Sequence, residues 1–554
     1  MIGRALVTAL LLATSAASAA PIATRALAPI AKPRHDGAHA RVEIAKSGVM
    51  RPTREVVGRR EEALSPEEDT AKQIEKLLRG PLRYTNTGLF VADARTGDPL
   101  FAVNADDPLN PASNVKMIST ATALDLMGPA FRYTTRLLGP DPDATGTIHG
   151  NVYLLGTWDP TLVATDLDEL GAQLAARGVK ALVGDIVVGV DPMRDGLFRA
   201  AVPIDIKAGV PGEAPTATAP AGFDLVTFKI TAKTGKTVQR PHLTYTATTV
   251  NDSAGHLRVE LEIGGTIGKG GATTYALVTK ERTADAAYVV RAALRAHQIT
   301  VTGDMMTAEL GDFIGDSVAQ AGLPVELARH ESATLAAIIT MVNKWSINWL
   351  ADRVIMTTTA LAQRETPSMD HALDAMYAWL ARHPHVDKAD ALLDSGSGLS
   401  YHTRVTAHEL VAVVRSAAGF AADSDAVASQ AWLGSLSIAG TDGTLGRRFR
   451  TPEIRGHIHG KTGTLSTVIA LSGVIDFDPQ RPIAFSIVTN GDRPLQKGYV
   501  RKAHEQLVGL LVKYLGKTAK TPVPHVVPEP VKPPTVPEEL DDEPEVPLDG
   551  ELPR

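Results

Sequence analysis

Apolar positions along this chain follow two rhythms, one near its ends and another in its middle. Ser65-Pro66-Glu67-Glu68 has the form of a helix N-cap with an acidic first turn, and it predicts a helix to about Leu78. Gly88–Asp93 and Leu100–Val103 flank Thr96-Gly97-Asp98, the pattern of a β-hairpin. Ala112 to Met127 then runs without an internal glycine or proline, and Pro111 suits a helix start. From about Thr145 to Leu310 the texture changes to short β-type runs broken by Gly, Asn and Asp, such as His149–Leu155, Ile186–Val188, Leu225–Ile230 and Leu257–Ile263. Helical spacing returns from about Leu327, through Leu335–Met341 and past Leu350. Leu465–Ile475 and Ile483–Val488 read as strands joined through Asp478-Pro479, and a last helix puts Val500, Ala503, Leu507, Leu511 and Tyr514 on one face.

The two ends differ from this interior. Arg4, an apolar stretch from Ala5 to about Ala16, and Ala17-Ser18-Ala19 have the layout of a secretory signal, residues 1–19. Its apolar part is short for a membrane span, and no later run approaches about 18 apolar residues, so an exported chain without an integral membrane segment is expected. Residues 20–64 lack periodicity and read as a flexible linker. Residues 517–554 form an acidic tail, so dense in proline and carboxylates from Thr521 onward that it offers too few apolar groups for a core. A net charge of −6 argues against a nucleic-acid partner, and the absence of cysteine excludes disulfides, thiolate catalysis and cysteine metal sites.

The candidate chemistry begins at Ser113-Asn-Val-Lys116. On a helix, positions i and i+3 share a face, so Lys116 would stand beside the Ser113 hydroxyl, which needs a base to become a nucleophile. Two further motifs follow in order, Ser346-Ile-Asn348 within a helix-like segment and Lys461-Thr462-Gly463 at the start of a strand-like one. S-x-x-K followed by S-x-N and K-T-G is a signature of acyl transfer by serine. In this reading a neutral Lys116 accepts the Ser113 proton, with burial and the Lys461 cation favouring the neutral form. Ser346 relays a proton to the leaving amine, and Asn348 orients Lys116 and the substrate amide. Lys461 and Thr462 hold a substrate carboxylate, while the N–H groups of Ser113 and Thr464, flanking Gly463, form an oxyanion hole. Lys233-Thr-Gly235 repeats the third motif but precedes Ser346, and is expected to be a solvated hairpin turn; Tyr84-Thr-Asn86 lies upstream of the nucleophile and is set aside. His457-Ile-His459 and His383-Pro-His385 lack i, i+4 spacing and an acidic partner set, so neither a metal nor another cofactor is expected.

On these motifs the chain resembles the D-alanyl-D-alanine carboxypeptidase/endopeptidase family, the class C low-molecular-mass penicillin-binding proteins. The resemblance spans about residues 68–516 and includes Gly156–Leu162, Asp394–Ser400, Ala439–Leu445 and Gly460–Thr464. It implies an α+β, β-lactamase/transpeptidase-like catalytic domain, an antiparallel sheet flanked by helices, made of residues 65–144 and 320–516. Residues 145–319 would be a large β-rich insertion, the family's long separation between its first two motifs, here between Ser113 and Ser346. It further implies a periplasmic or otherwise extracytoplasmic enzyme, peptidoglycan stem peptides as substrate and β-lactams as covalent inhibitors at Ser113. The alternatives are a β-lactamase or esterase with the same Ser–Lys site, and a catalytically idle wall-binding protein. Trp158 stands where the family more often has a small residue, and Tyr401 where it often has Arg.

Overall fold

The computed structural model describes residues 64–189, 202–220, 226–251, 257–277, 282–303, 305–308, 325–388, 390–422, 424–518 and 531. The expected signal, all but the last residue of the linker, and nearly all of the acidic tail lie outside them. The N-terminal part of the catalytic domain contributes helix α1 (Pro66–Arg79), strands β1 (Asn86–Asp93) and β2 (Pro99–Val103), and helix α2 (Lys116–Met127). After the insertion come helices α3 (Leu335–Trp345), α4 (Asn348–Gln363), α5 (Met369–Arg382), α6 (Ala407–Ala417) and α7 (Ala426–Ser435). Strands β3 (Ser437–Ile438), β4 (Ile458–Thr464), β5 (Val468–Ile475) and β6 (Ile483–Asn490) and helix α8 (Lys497–Thr518) complete it.

Ser65 opens α1 with a reciprocal capping box: its Oγ accepts the Glu68 N–H while Glu68 Oε2 accepts the Ser65 N–H. The hairpin is present, with Leu89 opposite Val103. All six strands form one antiparallel sheet in the order β3-β4-β5-β6-β1-β2, so the first hairpin joins strands from the far end of the domain, Leu89 pairing with Ile487. β5 and most of β6 are buried on both faces, reading as continuous apolar runs rather than alternations. On one face, α6 and the helical bundle bring Leu410 and Val411 against Val474 and Val488 in the same core as Val115, Ile118, Ile338 and Val354. The stripe foreseen on α8 (Val500, Ala503, Leu507, Leu511, Tyr514) is buried in full.

The S-x-x-K helix departs in one detail. Ala112–Val115 is a 3₁₀ turn, and α2 proper starts at Lys116. The S-I-N segment also departs from its expected helix. Ser346 has φ +60°, and this left-handed residue ends α3 before α4 restarts at Asn348. The insertion is β-rich as expected and also carries helices Ala164–Ala176 and Arg282–Ala296. Its five-stranded sheet takes in Thr134–Gly139 and Val325–Glu331, just outside the 145–319 range. It has its own core around Leu154, Leu170, Ile204, Leu261 and Val290. Lys233-Thr234 is a short strand paired in parallel with Leu257–Ile267, not a solvated hairpin turn: Lys233 is exposed, but Thr234 is buried and accepts the Gly209 N–H.

Candidate active site

Three elements from distant parts of the chain meet at Lys116. Its Nζ lies 3.1 Å from Ser113 Oγ, 2.6 Å from Asn348 Oδ1 and 2.7 Å from the Ser397 carbonyl. One helical turn sets the first of these distances, because the 3₁₀ turn carrying Ser113 runs directly into α2. Asn348 reaches Lys116 because the left-handed Ser346 breaks the helix and turns the first residue of α4 toward α2. Lys116 is fully buried.

Across the cleft, Lys461 Nζ lies 2.7 Å from Ser346 Oγ and 2.9 Å from its neighbour's carbonyl at Thr462. Burial first, and the nearby Lys116 charge second, hold Lys461 well below the ordinary lysine range. Both lysines are fully buried and feel each other's charge, so two ammonium groups there would repel with little screening. The K-T-G strand meets the S-x-x-K turn closely: a Cβ at Gly463 would stand 2.4 Å from the Pro111 carbonyl oxygen. Strand β3 pairs with β4 only at His459 and Gly460, so among the described residues the edge from Lys461 to Thr464 has no strand partner on that side. An extended peptide can add there by main-chain hydrogen bonds.

All eight residues expected from the three motifs therefore assemble in or along this cleft. Sequence reasoning did not single out four others that shape it. The Ser397 carbonyl comes from the Asp394–Ser400 loop, and Asp352 fixes that loop by accepting the Ser397 N–H at 2.7 Å. Burial raises the Asp352 pKa, opposed by this hydrogen bonding and by the Lys116 charge. Thr444 Oγ1 accepts the Thr462 hydroxyl at 2.9 Å, and Arg501 of α8 donates to Thr464 Oγ1 at 3.2 Å. The Gly- and Asp-rich stretches around 397 and 444 were legible as turns, but no spacing rule ties them to Lys116 or Thr462. Tyr401 packs against Ala112, Leu465 and Val468, and its hydroxyl lies 2.8 Å from Ser466 Oγ.

The histidine pairs also look different in three dimensions. His457 and His459 do have an acidic partner, Asp476 just past the end of β5, at 3.7 and 3.4 Å. Despite burial, the two imidazoles beside it hold Asp476 down at about 2. Strand pairing supplies this one acid, which sequence separation hides; it is a single partner and not an acidic set.

The six-stranded antiparallel sheet, the helical bundle on one face and the cleft between them define the β-lactamase/transpeptidase-like class of α+β proteins. The chain belongs to the D-Ala-D-Ala carboxypeptidase 3 (S13) family, which it matches over residues 70–192 and 197–514. It is 29% identical over 461 residues to the D-alanyl-D-alanine carboxypeptidase of Actinomadura sp. (strain R39), covering 76% of this chain and 80% of that protein. It is 26% identical over 450 residues to carboxypeptidase DacB of Mycolicibacterium smegmatis, covering 78% and 83%. Its fold is similar to penicillin binding protein 4 (dacB) from Haemophilus influenzae, with a TM-score of 0.59 at 19% identity over 79% of this chain and 99% of that one. Among the described residues no helix is long and apolar enough to cross a membrane.

Proposed function

We propose that this chain is an exported, serine-type D-Ala-D-Ala carboxypeptidase/endopeptidase that cleaves peptidoglycan stem peptides through an acyl-enzyme on Ser113. The observation that carries this reading is the surroundings of Lys116 Nζ. Asn348 Oδ1 and the Ser397 carbonyl can only accept hydrogen bonds, so a neutral amine donating to both turns its lone pair toward Ser113 Oγ. Lys116 then takes the hydroxyl proton as Ser113 attacks the D-alanyl carbonyl. The two buried lysines disfavour a doubly charged site. A substrate carboxylate arriving beside Thr462 stabilises the charge on Lys461, which leaves Lys116 as the neutral member. Ser346, 2.7 Å from Lys461, delivers a proton to the leaving amine, and the N–H groups of Ser113 and Thr464 receive the oxyanion. Water then releases the acyl group.

Family membership and the S-x-x-K, S-x-N, K-T-G set support this over an idle binding protein, since every polar group the reaction needs is present and assembled. β-Lactamase activity requires an efficient water-activating group. Asp352, the carboxylate that feels the Lys116 charge, is already taken up by the Ser397 N–H. β-Lactams would acylate Ser113 and leave slowly. Labelled penicillin should bind covalently to the purified protein and not to Ser113→Ala, and purified muropeptides should lose D-alanine or be split at cross-links. Equal labelling of both proteins refutes the nucleophile assignment. Labelling with both muropeptide pools unchanged refutes the peptidase.

A further inference from the structure

A second cluster of ionisable groups lies in the insertion, away from Ser113. Asp166 and Glu169 stand on helix Ala164–Ala176, and His330 on strand Val325–Glu331, which leads through Ser332 into α3. His330 Nδ1 lies 2.9 Å from Glu169 Oε2, and its Nε2 lies 3.8 Å from Asp166 Oδ2. One ligand atom from each of the three is within 4.8 Å of the other two. Alone, these groups make an ordinary ion-pair network. What sets the place apart is Asp159, 2% exposed in the loop before the helix, next to Trp158, which packs on Ala360 of α4. Its Oδ1 accepts the Thr161 N–H at 2.8 Å and the Thr161 hydroxyl at 2.6 Å, but its Oδ2 is buried without a hydrogen-bond partner. Burial raises the Asp159 pKa; the Thr161 hydrogen bonds and the His330 charge oppose this, and the Asp166 charge adds to it, which groups the free oxygen with the cluster. Among the described residues no lysine or arginine pairs with Asp159, Asp166 or Glu169. Three carboxylates therefore share one imidazole, an excess of negative charge in a partly dry place that a cation relieves.

We propose that Asp166, Glu169 and His330, with the unpaired oxygen of Asp159, form a binding site for a divalent transition-metal ion of the zinc type, which clamps the insertion helix to the strand returning to α3. Mixed nitrogen and oxygen ligands suit zinc or manganese, whereas magnesium and calcium take oxygen. Ligand atoms around such an ion stand about 3–3.5 Å apart, and Glu169, 61% exposed, is free to close to that spacing. Asp166 is already held in place, because its Oδ2 accepts the Val163 N–H at 2.8 Å. The ion replaces the proton that the imidazole shares with its carboxylates, so uptake releases a proton. The close histidine pairs in the sequence give no hint of this site, since His330 and Glu169 are 161 positions apart. The ion has no part in the chemistry at Ser113, and the proposal is independent of the peptidase reading.

The test titrates the purified full chain, stripped with EDTA and dialysed, with zinc chloride in a calorimeter, and follows melting with and without the ion. The wild type should bind one equivalent, release protons as it does so, and melt at a higher temperature when loaded. His330→Gln and Glu169→Gln should weaken binding about a hundredfold or more, and Asp159→Asn about tenfold. Circular dichroism establishes that each variant is folded, and the exposed Glu169→Gln carries the test if a change at a buried group disrupts folding. Equal affinity in the wild type and in folded Glu169→Gln overturns the site, as does binding that is lost in His459→Gln instead. A wild type that takes up neither zinc nor manganese also overturns it. Calcium or magnesium bound more tightly than zinc overturns the assignment of a transition metal.

Discussion

The buried ion pair behind the cleft gives a prediction whose size follows from the geometry. Lys344 Nζ lies 2.7 Å from Asp442 Oδ2 and 2.8 Å from the Leu436 carbonyl, and both side chains are 1% exposed. Asp442 also accepts the Ile438 N–H on Oδ1 at 2.9 Å and the Val531 N–H on Oδ2 at 3.3 Å. Lys344→Met removes the cation and leaves a carboxylate in a dry site with only neutral donors. Breaking a buried pair in this way costs about 3–5 kcal/mol. Lys344→Met combined with Asp442→Asn removes both charges yet retains an amide oxygen for Ile438, so the double variant should recover most of the loss and stand within about 2 kcal/mol of wild type. Urea unfolding followed by tryptophan fluorescence measures all three, since four of the five tryptophans (345, 349, 379 and 432) lie in the helical part. A loss below about 1 kcal/mol for the single variant, or a double variant no better than the sum of the singles, would falsify the argument. Penicillin acylation should slow as well. The pair anchors the corner where Ser437 Oγ accepts the Thr444 N–H at 3.2 Å and Thr444 in turn accepts the Thr462 hydroxyl.

Other outcomes follow from the same structure. Lys461→Ala should reduce D-alanine release by about a hundredfold or more, whereas Lys233→Ala, exposed in the insertion, should leave it within about twofold; equal effects in a release assay would reverse the choice between the two K-T-G copies. Gly398 has φ +76°, and a Cβ there would sit 2.1 Å from the Ala112 carbonyl oxygen, so Gly398→Ala should destabilise by about 2 kcal/mol or more and slow acylation of the adjacent Ser113; wild-type melting and acylation would contradict this. His504 is fully buried on Thr489 Oγ1, and burial, then the Arg448 charge, push its pKa down to about 3. Between 3 and the unfolded value near 6.5 the unfolded chain holds the extra proton, so stability falls as pH falls, by about 2 kcal/mol from pH 7 to 5. His504→Gln should flatten that slope in paired urea titrations, and an unchanged slope would assign the acid sensitivity elsewhere.

Much of the site was legible because catalysis needs particular side chains at spacings that local geometry imposes. Ser113 and Lys116 are three apart because one helical turn brings them together, and the motif says so wherever it occurs. The capping box at Ser65 and the apolar stripe of α8 are equally local. Ser397 was not legible as a partner of Lys116, because it contributes a backbone carbonyl and any residue type supplies one. Arg501 was hidden for a different reason. One arginine in an amphipathic helix looks like any solvated face until α8 packs beside the end of β4.

By itself, then, the order of residues determined the three motifs proposed to do the chemistry, the hairpin and helices that carry them, and the break in texture that marks the insertion. Those properties depend on dihedral preferences and periodicity over a few residues. Only the tertiary structure decided that Lys461 and not Lys233 faces Ser346, that a left-handed Ser346 interrupts the S-I-N helix, and that two buried lysines feel each other's charge. Sheet pairing between the two ends of the catalytic domain, and desolvation by surrounding side chains, set these. Neither is encoded at any fixed distance along the chain, and the role proposed for Ser113 rests on both.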